Sequence, residues 1–106
     1  MSVILKRGDT RMAIRATLKT PTGATVDLTG ATVRFLLADL RGVLKIDKQI
    51  DVLDATEGKV MVVLEATEVD VAGSFRAEFE VTFDDGRVET YPNDGYISVK
   101  IIPDLG

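Results

Sequence analysis

The chain has 106 residues, of which 45% are hydrophobic and 28% charged, and its net charge is −4. This length and balance predict one soluble domain, residues 1–106, with a single modest core. Because the chain contains no Cys and no His, disulfides, zinc-type sites and the usual nucleophile–base pairs are excluded. The acidic balance argues against nucleic-acid binding. The longest apolar run, residues 60–64, is too short to cross a membrane, and the N-terminus lacks the pattern of a signal peptide.

Apolar and polar residues alternate with a period of two along most of the chain, which predicts half-buried strands. Lys48 interrupts one of the apolar rows and suggests an edge strand or a bulge there. In chain order the rows predicted to face inward are Met12, Ile14, Ala16 and Leu18; Ala31, Val33, Phe35 and Leu37; Leu44, Ile46, Ile50 and Val52; Val60, Val62 and Leu64; Phe75, Ala77, Phe79, Val81 and Phe83; and Ile97, Val99 and Ile101.

Turn signals rich in Gly, Pro, Asp and Asn separate these rows at short intervals. Asp85-Gly86 lies between two alternating runs and predicts a hairpin. Thr67 is predicted to cap a single tight turn at residues 67–70 that crosses between sheets. Facing sheets are needed to bury the inward rows. The pattern therefore predicts an all-β fold, an immunoglobulin-like β-sandwich of about seven antiparallel strands.

Carboxylates are the most plentiful candidate groups for chemistry. Glu78 and Glu80 share one strand face about 6.7 Å apart, near the separation used by inverting glycosidases. A solvated face with Arg76 as charge partner is the favoured interpretation, since nothing apolar flanks the two carboxylates to raise a pKa. Asp84-Asp85 and Asn93-Asp94 offer oxygen ligands for calcium, but their spacing does not match an EF-hand loop and turn formation explains them. We predict no catalytic residue, no metal site and no cofactor.

Four residues around one turn are the candidate partner contact: Tyr91, Asn93, Asp94 and Tyr96. The two tyrosines flank the turn 92–95, where their rings would be able to stack on a sugar or on a protein. The alternative, which we favour from the sequence, is that both rings cover the end of the core.

Three stretches of the chain resemble the immunoglobulin-like N-terminal domain of the phage baseplate upper protein family. They are residues 7–10, residues 26–35 and residues 72–86, the last continuing into residues 89–97. The Leu-Thr-Gly-Ala-Thr-Val strand entry and the Gly-x-Phe-x-Ala-Glu-Phe-x-Val strand occur in the order and at the spacing of the family. The resemblance therefore covers nearly the whole chain.

The resemblance implies a non-enzymatic structural protein of the virion. In such proteins this domain attaches a receptor-binding part to the tail baseplate, usually within an oligomer. Other virion proteins are then the expected partners, a homo-oligomer forms in the particle, and nucleic acid and membrane are not bound. The expected location is the virion tail, after synthesis in the host bacterial cytoplasm.

Three alternatives remain open from the sequence. Family members often continue into a C-terminal region that contacts the receptor, whereas this chain stops at Gly106, so a head or neck decoration protein is one of them. A carbohydrate-binding module for host-surface glycans is the second, with Tyr91, Tyr96 and Phe83 as the available aromatic platforms. A small glycosidase that uses Glu78 is the third.

Overall fold

The computed structural model describes residues 2–8, 13–93 and 95–105. In these ranges the chain forms nine strands and one 3₁₀ turn. The strands are β1 Ser2–Lys6, β2 Ala13–Thr17, β3 Thr32–Asp39, β4 Leu44–Gln49, β5 Asp51–Asp54, β6 Lys59–Val63, β7 Gly73–Thr82, β8 Val88–Tyr91 and β9 Ile97–Ile102, and the 3₁₀ turn, Ala66–Val69, lies between β6 and β7.

The strands form two sheets. The larger sheet has the order β1-β9-β7-β3-β4, with β8 also paired to β7, and the smaller has the order β2-β6-β5. Neighbouring strands run antiparallel, except that β1 and β9 are parallel. The smaller sheet corresponds to strands B, E and D of an immunoglobulin domain, and the larger contains the G-F-C order. The predicted immunoglobulin-like β-sandwich is confirmed.

Two strands beyond the expected seven come from segments with weak alternation. β1 is one of them, because only Val3 and Leu5 of this short strand turn towards the core. β8 is the other, because it has four residues and an exposed Glu89 stands opposite the buried Val81. Such short segments give little periodic signal.

The predicted inward rows form the core, which is one cluster of buried apolar side chains. Phe35 of β3 and Phe79 of β7 are fully buried, and their ring centroids lie 5.4 Å apart at a tilt of 54°. Burying a side chain of this size stabilises the fold by about 1.5–3 kcal/mol. Met12, predicted to face inward, lies outside the described residues.

Leu44 is a wrong prediction, because its side chain is 51% exposed rather than buried. The register between β3 and β4 shifts between Leu37 and Ala38, and Leu44 then stands opposite Ala38. A bulge of this kind changes the face to which the following side chains point. Ile46, the next member of the row, returns to the core.

Lys48 faces inward at the edge of the larger sheet, as its place in an apolar row indicated. It stands opposite Phe35, and its Nζ donates to the Val63 carbonyl oxygen at 2.6 Å and to the Glu68 carboxylate at 2.7 Å. Of the two alternatives that Lys48 suggested, the edge position is present, whereas the register shift of β4 lies between Leu44 and Ile46 and not at Lys48. The ammonium therefore links the larger sheet to the smaller one.

The tight turn between β6 and β7 is present, but Thr67 does not cap it. The turn begins at Ala66, with Glu65 in the capping position. The Glu68 carboxylate accepts a hydrogen bond from the Glu65 N–H at 2.8 Å. The Glu68 side chain therefore satisfies the backbone N–H of the capping residue, which the sequence pattern had placed two residues too late, at Thr67.

The chain enters β3 through a turn built on Asp27. Its carboxylate accepts the Thr29 N–H at 2.9 Å and the Thr29 hydroxyl at 2.6 Å. These bonds favour the charged carboxylate and lower the pKa of Asp27, the side-chain bond being the larger cause. Gly30 follows with a φ of +74°, which a residue with a side chain rarely adopts. This explains the Asp-Leu-Thr-Gly order before the strand.

Candidate partner-binding surface

The strand that pairs with β7 on the side away from β3 is interrupted in its middle, so that β8 and β9 share that side. β7 pairs with β8 on one side of the interruption, where Phe79 stands opposite Tyr91, and with β9 on the other, where Ala77 stands opposite Ile97. Glu78 is the residue of β7 between these two pairings, and the described residues opposite it, 92–93 and 95–96, leave the sheet as a loop. The Asn93 side-chain amide donates to the Thr90 carbonyl oxygen at 2.9 Å and so ties the loop to β8.

The structure separates the residues of the predicted contact. Tyr91 is buried, with 3% of its surface exposed, whereas Tyr96 is 55% exposed and Asn93 is on the surface. Asp94 lies outside the described residues. Tyr91 therefore covers the core, as one alternative from the sequence had it, whereas Tyr96 faces solvent and is accessible to a partner.

Tyr91 is buried, but its hydroxyl has a hydrogen-bond partner because it donates to the Glu89 carboxylate. Burial, followed by the hydrogen bond and the negative charge of Glu89, raises the pKa of Tyr91 above its ordinary value. The phenol therefore remains a neutral donor at physiological pH, and its hydrogen bond to Glu89 lies within β8.

The prediction that Arg76 is the charge partner of Glu78 and Glu80 is wrong. Its guanidinium carbon lies 5.4 Å from the centroid of the Tyr96 ring, a cation–π contact. Among the described ion pairs none joins Arg76 to either carboxylate. The loop brings Tyr96 over the outer face of β7, where its ring, and not a carboxylate, contacts the guanidinium.

A shallow groove of about 250 Å³ runs across the outer face of the larger sheet, beside the Arg76–Tyr96 pair. Leu36, Ala38 and Leu44 supply its apolar lining. Asp39 lies at its rim, where its carboxylate accepts the backbone N–H groups of the 39–43 turn at 2.9 Å. The bond from Val43 is the largest cause that lowers the pKa of Asp39, so this carboxylate is ionised at neutral pH, with the Arg41 guanidinium 3.9 Å away.

A second concavity, of about 240 Å³, opens between the two sheets. It is lined by residues 16–19 of the smaller sheet's edge and, from the larger sheet, by Phe79, Tyr91, Ile97 and their neighbours. Tyr96 lines this cleft as well as the outer groove. One exposed aromatic ring therefore stands between two openings with apolar walls.

Of the carboxylates considered for chemistry, Glu78 lines the outer groove opposite Leu36, and Asp85 has a structural role. Asp85 accepts the Arg87 N–H at 3.0 Å within its hairpin turn. Within the described ranges no group of three or more acidic side chains is placed to hold a metal ion, and no helix there is long and apolar enough to span a membrane.

The sequence matches the family model described as the BppU N-terminal domain over residues 5–92. This range covers most of the chain. The chain belongs to the BppU N-terminal domain family. Membership makes it a structural domain of the phage baseplate, carried in the virion tail and in contact with other virion proteins, and it disfavours a place in the head or neck.

Two solved structures share this fold. The N-terminal domain of phage TP901-1 ORF48 aligns with a TM-score of 0.67 and 19% identity, over 96% of this chain and 83% of that one. CopC from Methylosinus trichosporium OB3b aligns with a TM-score of 0.56 and 13% identity, over 99% of this chain and 87% of that one. At these identities the likeness concerns the fold alone. No curated protein sequence matches the chain significantly.

The family match ends at Pro92, the first residue of the interrupting loop. Tyr96 and the whole of β9 lie beyond it. The surface around Tyr96 is therefore argued from the geometry of this BppU N-terminal domain and not from a property of the family model. Sequence reasoning identified Tyr96 but missed Arg76, Leu36 and Leu44 as its neighbours, since only the strand register brings them together.

Proposed function

We propose that this domain acts without catalysis and docks to another baseplate protein through the surface around Tyr96, and so helps to attach a receptor-binding part to the tail. The observation that carries the proposal is the exposed Tyr96 ring, held by Arg76 between two concavities. Tyr and Arg are enriched among the few residues that dominate the binding energy of protein interfaces. A ring already held in place also loses little entropy when a partner covers it.

The outer groove supports a protein as the partner. Its lining combines apolar side chains with charged groups at the rim, the arrangement of a protein interface with an apolar centre and a polar border. Arg76 covers one face of the Tyr96 ring, so only the other face is available for stacking on a flat ligand. This geometry favours insertion of a side chain from a protein over a sugar platform.

We also propose how the chain is organised in the particle. Residues 1–106 act as one domain around the single core cluster, and the domain works in a homo-oligomer within the assembled particle. Nucleic acid and membrane are not partners, in keeping with a net charge of −4. The protein is made in the cytoplasm of the host bacterium before it joins the tail.

The test is a binding measurement against the purified tail and baseplate proteins of the same phage, by pull-down and then by surface plasmon resonance. Tyr96→Ala is expected to weaken the interaction about 30-fold or more, the loss typical of a dominant interface residue. Arg76→Ala is expected to weaken it less, because the ring remains. Leu53→Ala is the matched control, since Leu53 is similarly exposed at 51% but lies in β5 of the other sheet.

Two results would contradict this function. Binding of a baseplate protein with unchanged affinity after Tyr96→Ala would remove the surface from the interface. Hits on a glycan array that disappear with Tyr96→Ala, together with no binding to any tail protein, would favour a carbohydrate-binding module instead.

A further inference from the structure

Several strand edges of the sandwich carry features that oppose pairing with another chain. β4 turns the charged Lys48 inward and has a register shift along its length. β5 has a register shift between Val52 and Asp54, and β8 is only four residues long. Inward charges, bulges and short strands are the means by which folded proteins block strand addition at an edge.

β2 lacks these features. Its register with β6 is continuous from Ala13 to Thr17, and its inward side chains, Ile14 and Ala16, are apolar. Within the described part of the chain, β2 pairs with β6 along one edge, and the other edge of β2 has no strand beside it. This edge is therefore a template for a further strand.

The backbone groups at the open edge can be assigned from one hydrogen bond. Leu18 donates its N–H to the Gly58 carbonyl oxygen at 2.8 Å, on the side of β6. Because successive residues of a strand turn their backbone groups to opposite sides, Arg15, Thr17 and Lys19 direct theirs away from β6. These residues offer alternating donors and acceptors at the spacing of a strand ladder.

The cleft between the sheets lies directly beside this edge, since residues 16–19 form one of its walls. Inward side chains of an added strand would enter it and contact Phe79, Tyr91 and Ile97. Its volume of about 240 Å³ is below the range of about 300–1,000 Å³ that is typical of small-molecule pockets. The space suits one or two aliphatic side chains.

The charge of the edge determines the kind of strand that fits. Arg15 and Lys19 are exposed on it, and neither takes part in a described ion pair. Pairing with the same edge of a second copy would bring these cations together, and like charges on adjacent strands are destabilising. Acidic side chains on the incoming strand would instead complement them.

We propose that the open edge of β2 receives an extended segment of another baseplate protein, in which aliphatic residues that enter the cleft alternate with acidic residues that face Arg15 and Lys19. This is β-strand addition, in which the main chain supplies affinity and the alternate side chains supply specificity. The inference rests on the proposed docking function and specifies the chemistry of the docked segment.

The probe is a synthetic peptide that alternates valine and glutamate, and the control is one that alternates valine and lysine. Amide hydrogen exchange, followed by NMR on the whole chain, is expected to slow at Arg15, Thr17 and Lys19 with the glutamate peptide and to remain unchanged with the lysine peptide. The amides of Ile14 and Ala16, already paired with β6, report on the fold.

Two variants separate pairing from other effects. Thr17→Pro removes one outward N–H without removing a bond to β6, and it is expected to weaken peptide binding about three- to tenfold. The double variant Arg15→Glu with Lys19→Glu leaves the backbone unchanged and is expected to reverse the preference, so that the lysine peptide binds better. Because both of its substitutions are exposed, the double variant remains informative even if Thr17→Pro does not fold.

Unchanged exchange at Arg15 and Thr17 with the glutamate peptide would overturn the inference. Protection of these amides that rises with protein concentration and needs no peptide would also overturn it, and would assign the edge to a second copy. A baseplate protein that binds through Tyr96 while these amides exchange freely would leave the proposed function standing and remove only the added strand.

Discussion

Gly58→Ala is expected to destabilise the sandwich more than Gly86→Ala, although alanine would have to adopt a similar positive φ at both positions. Both have positive φ, +67° at Gly58 and +88° at Gly86. A Cβ at Gly58 would lie 2.8 Å from the carbonyl oxygens of Leu18 and Val26, whereas a Cβ at Gly86 would meet nothing within 4 Å. The two substitutions therefore share the conformational cost and differ in the clash.

The magnitudes follow from these contacts. The left-handed conformation costs a residue with a side chain about 1–2 kcal/mol, which is the whole effect expected at Gly86. At Gly58 the backbone of two segments must also move, and overpacking of this kind adds about 1–3 kcal/mol. The total for Gly58→Ala is about 2–5 kcal/mol, a large part of the free energy of unfolding of a small domain.

Urea unfolding followed by circular dichroism measures both variants. The free energy of unfolding is expected to fall about 1–3 kcal/mol further for Gly58→Ala than for Gly86→Ala. In thermal unfolding its Tm should be lower by about 4 °C or more, since 1 kcal/mol corresponds to about 4–8 °C at this chain length. Equal losses in the two variants would refute the assignment of the Gly58 effect to contact with the Leu18 and Val26 backbone.

Two further predictions concern polar contacts that are only partly buried. Lys48→Met keeps the apolar stem but removes the donor to the Val63 carbonyl and the Glu68 carboxylate, and it should lower the free energy of unfolding by about 1–3 kcal/mol; an unchanged urea midpoint would show that the link between the sheets does not stabilise the fold. Tyr91, whose pKa is raised above the ordinary value of 10.0 in the folded state, stays protonated there after the unfolded chain has begun to ionise. Stability should therefore fall as the pH rises above 10, and this fall should be smaller in Tyr91→Phe; parallel stability curves for the two proteins would contradict the effect of burial on Tyr91.

The sandwich could be predicted from the sequence because its signal is local. Phe75, Ala77, Phe79 and Val81 alternate with polar residues on one long strand, and all four are buried. Residue type and spacing are enough to identify such a row. The same reasoning failed at Leu44, because a bulge depends on how two strands pair and leaves no mark on the period of either one.

The candidate surface was less predictable for the same physical reason. Tyr91 and Tyr96 have the same residue type and flank one loop, yet one is buried and the other exposed. Their different environments follow from the register of β8 and β9 along β7, which is a long-range property. The partner of Arg76 could not be read from the sequence either, because Tyr96 is distant along the chain and the nearby Glu78 was the simpler expectation.

The interruption between β8 and β9 leaves a loop whose length the sheet does not fix. β7 fixes Tyr91 on one side of the loop and Ile97 on the other, each by its own pairing. The loop ahead of Tyr96 can therefore be lengthened without moving either flanking strand. A peptide epitope inserted ahead of Tyr96 would therefore be displayed on the tail while Tyr96 itself is retained.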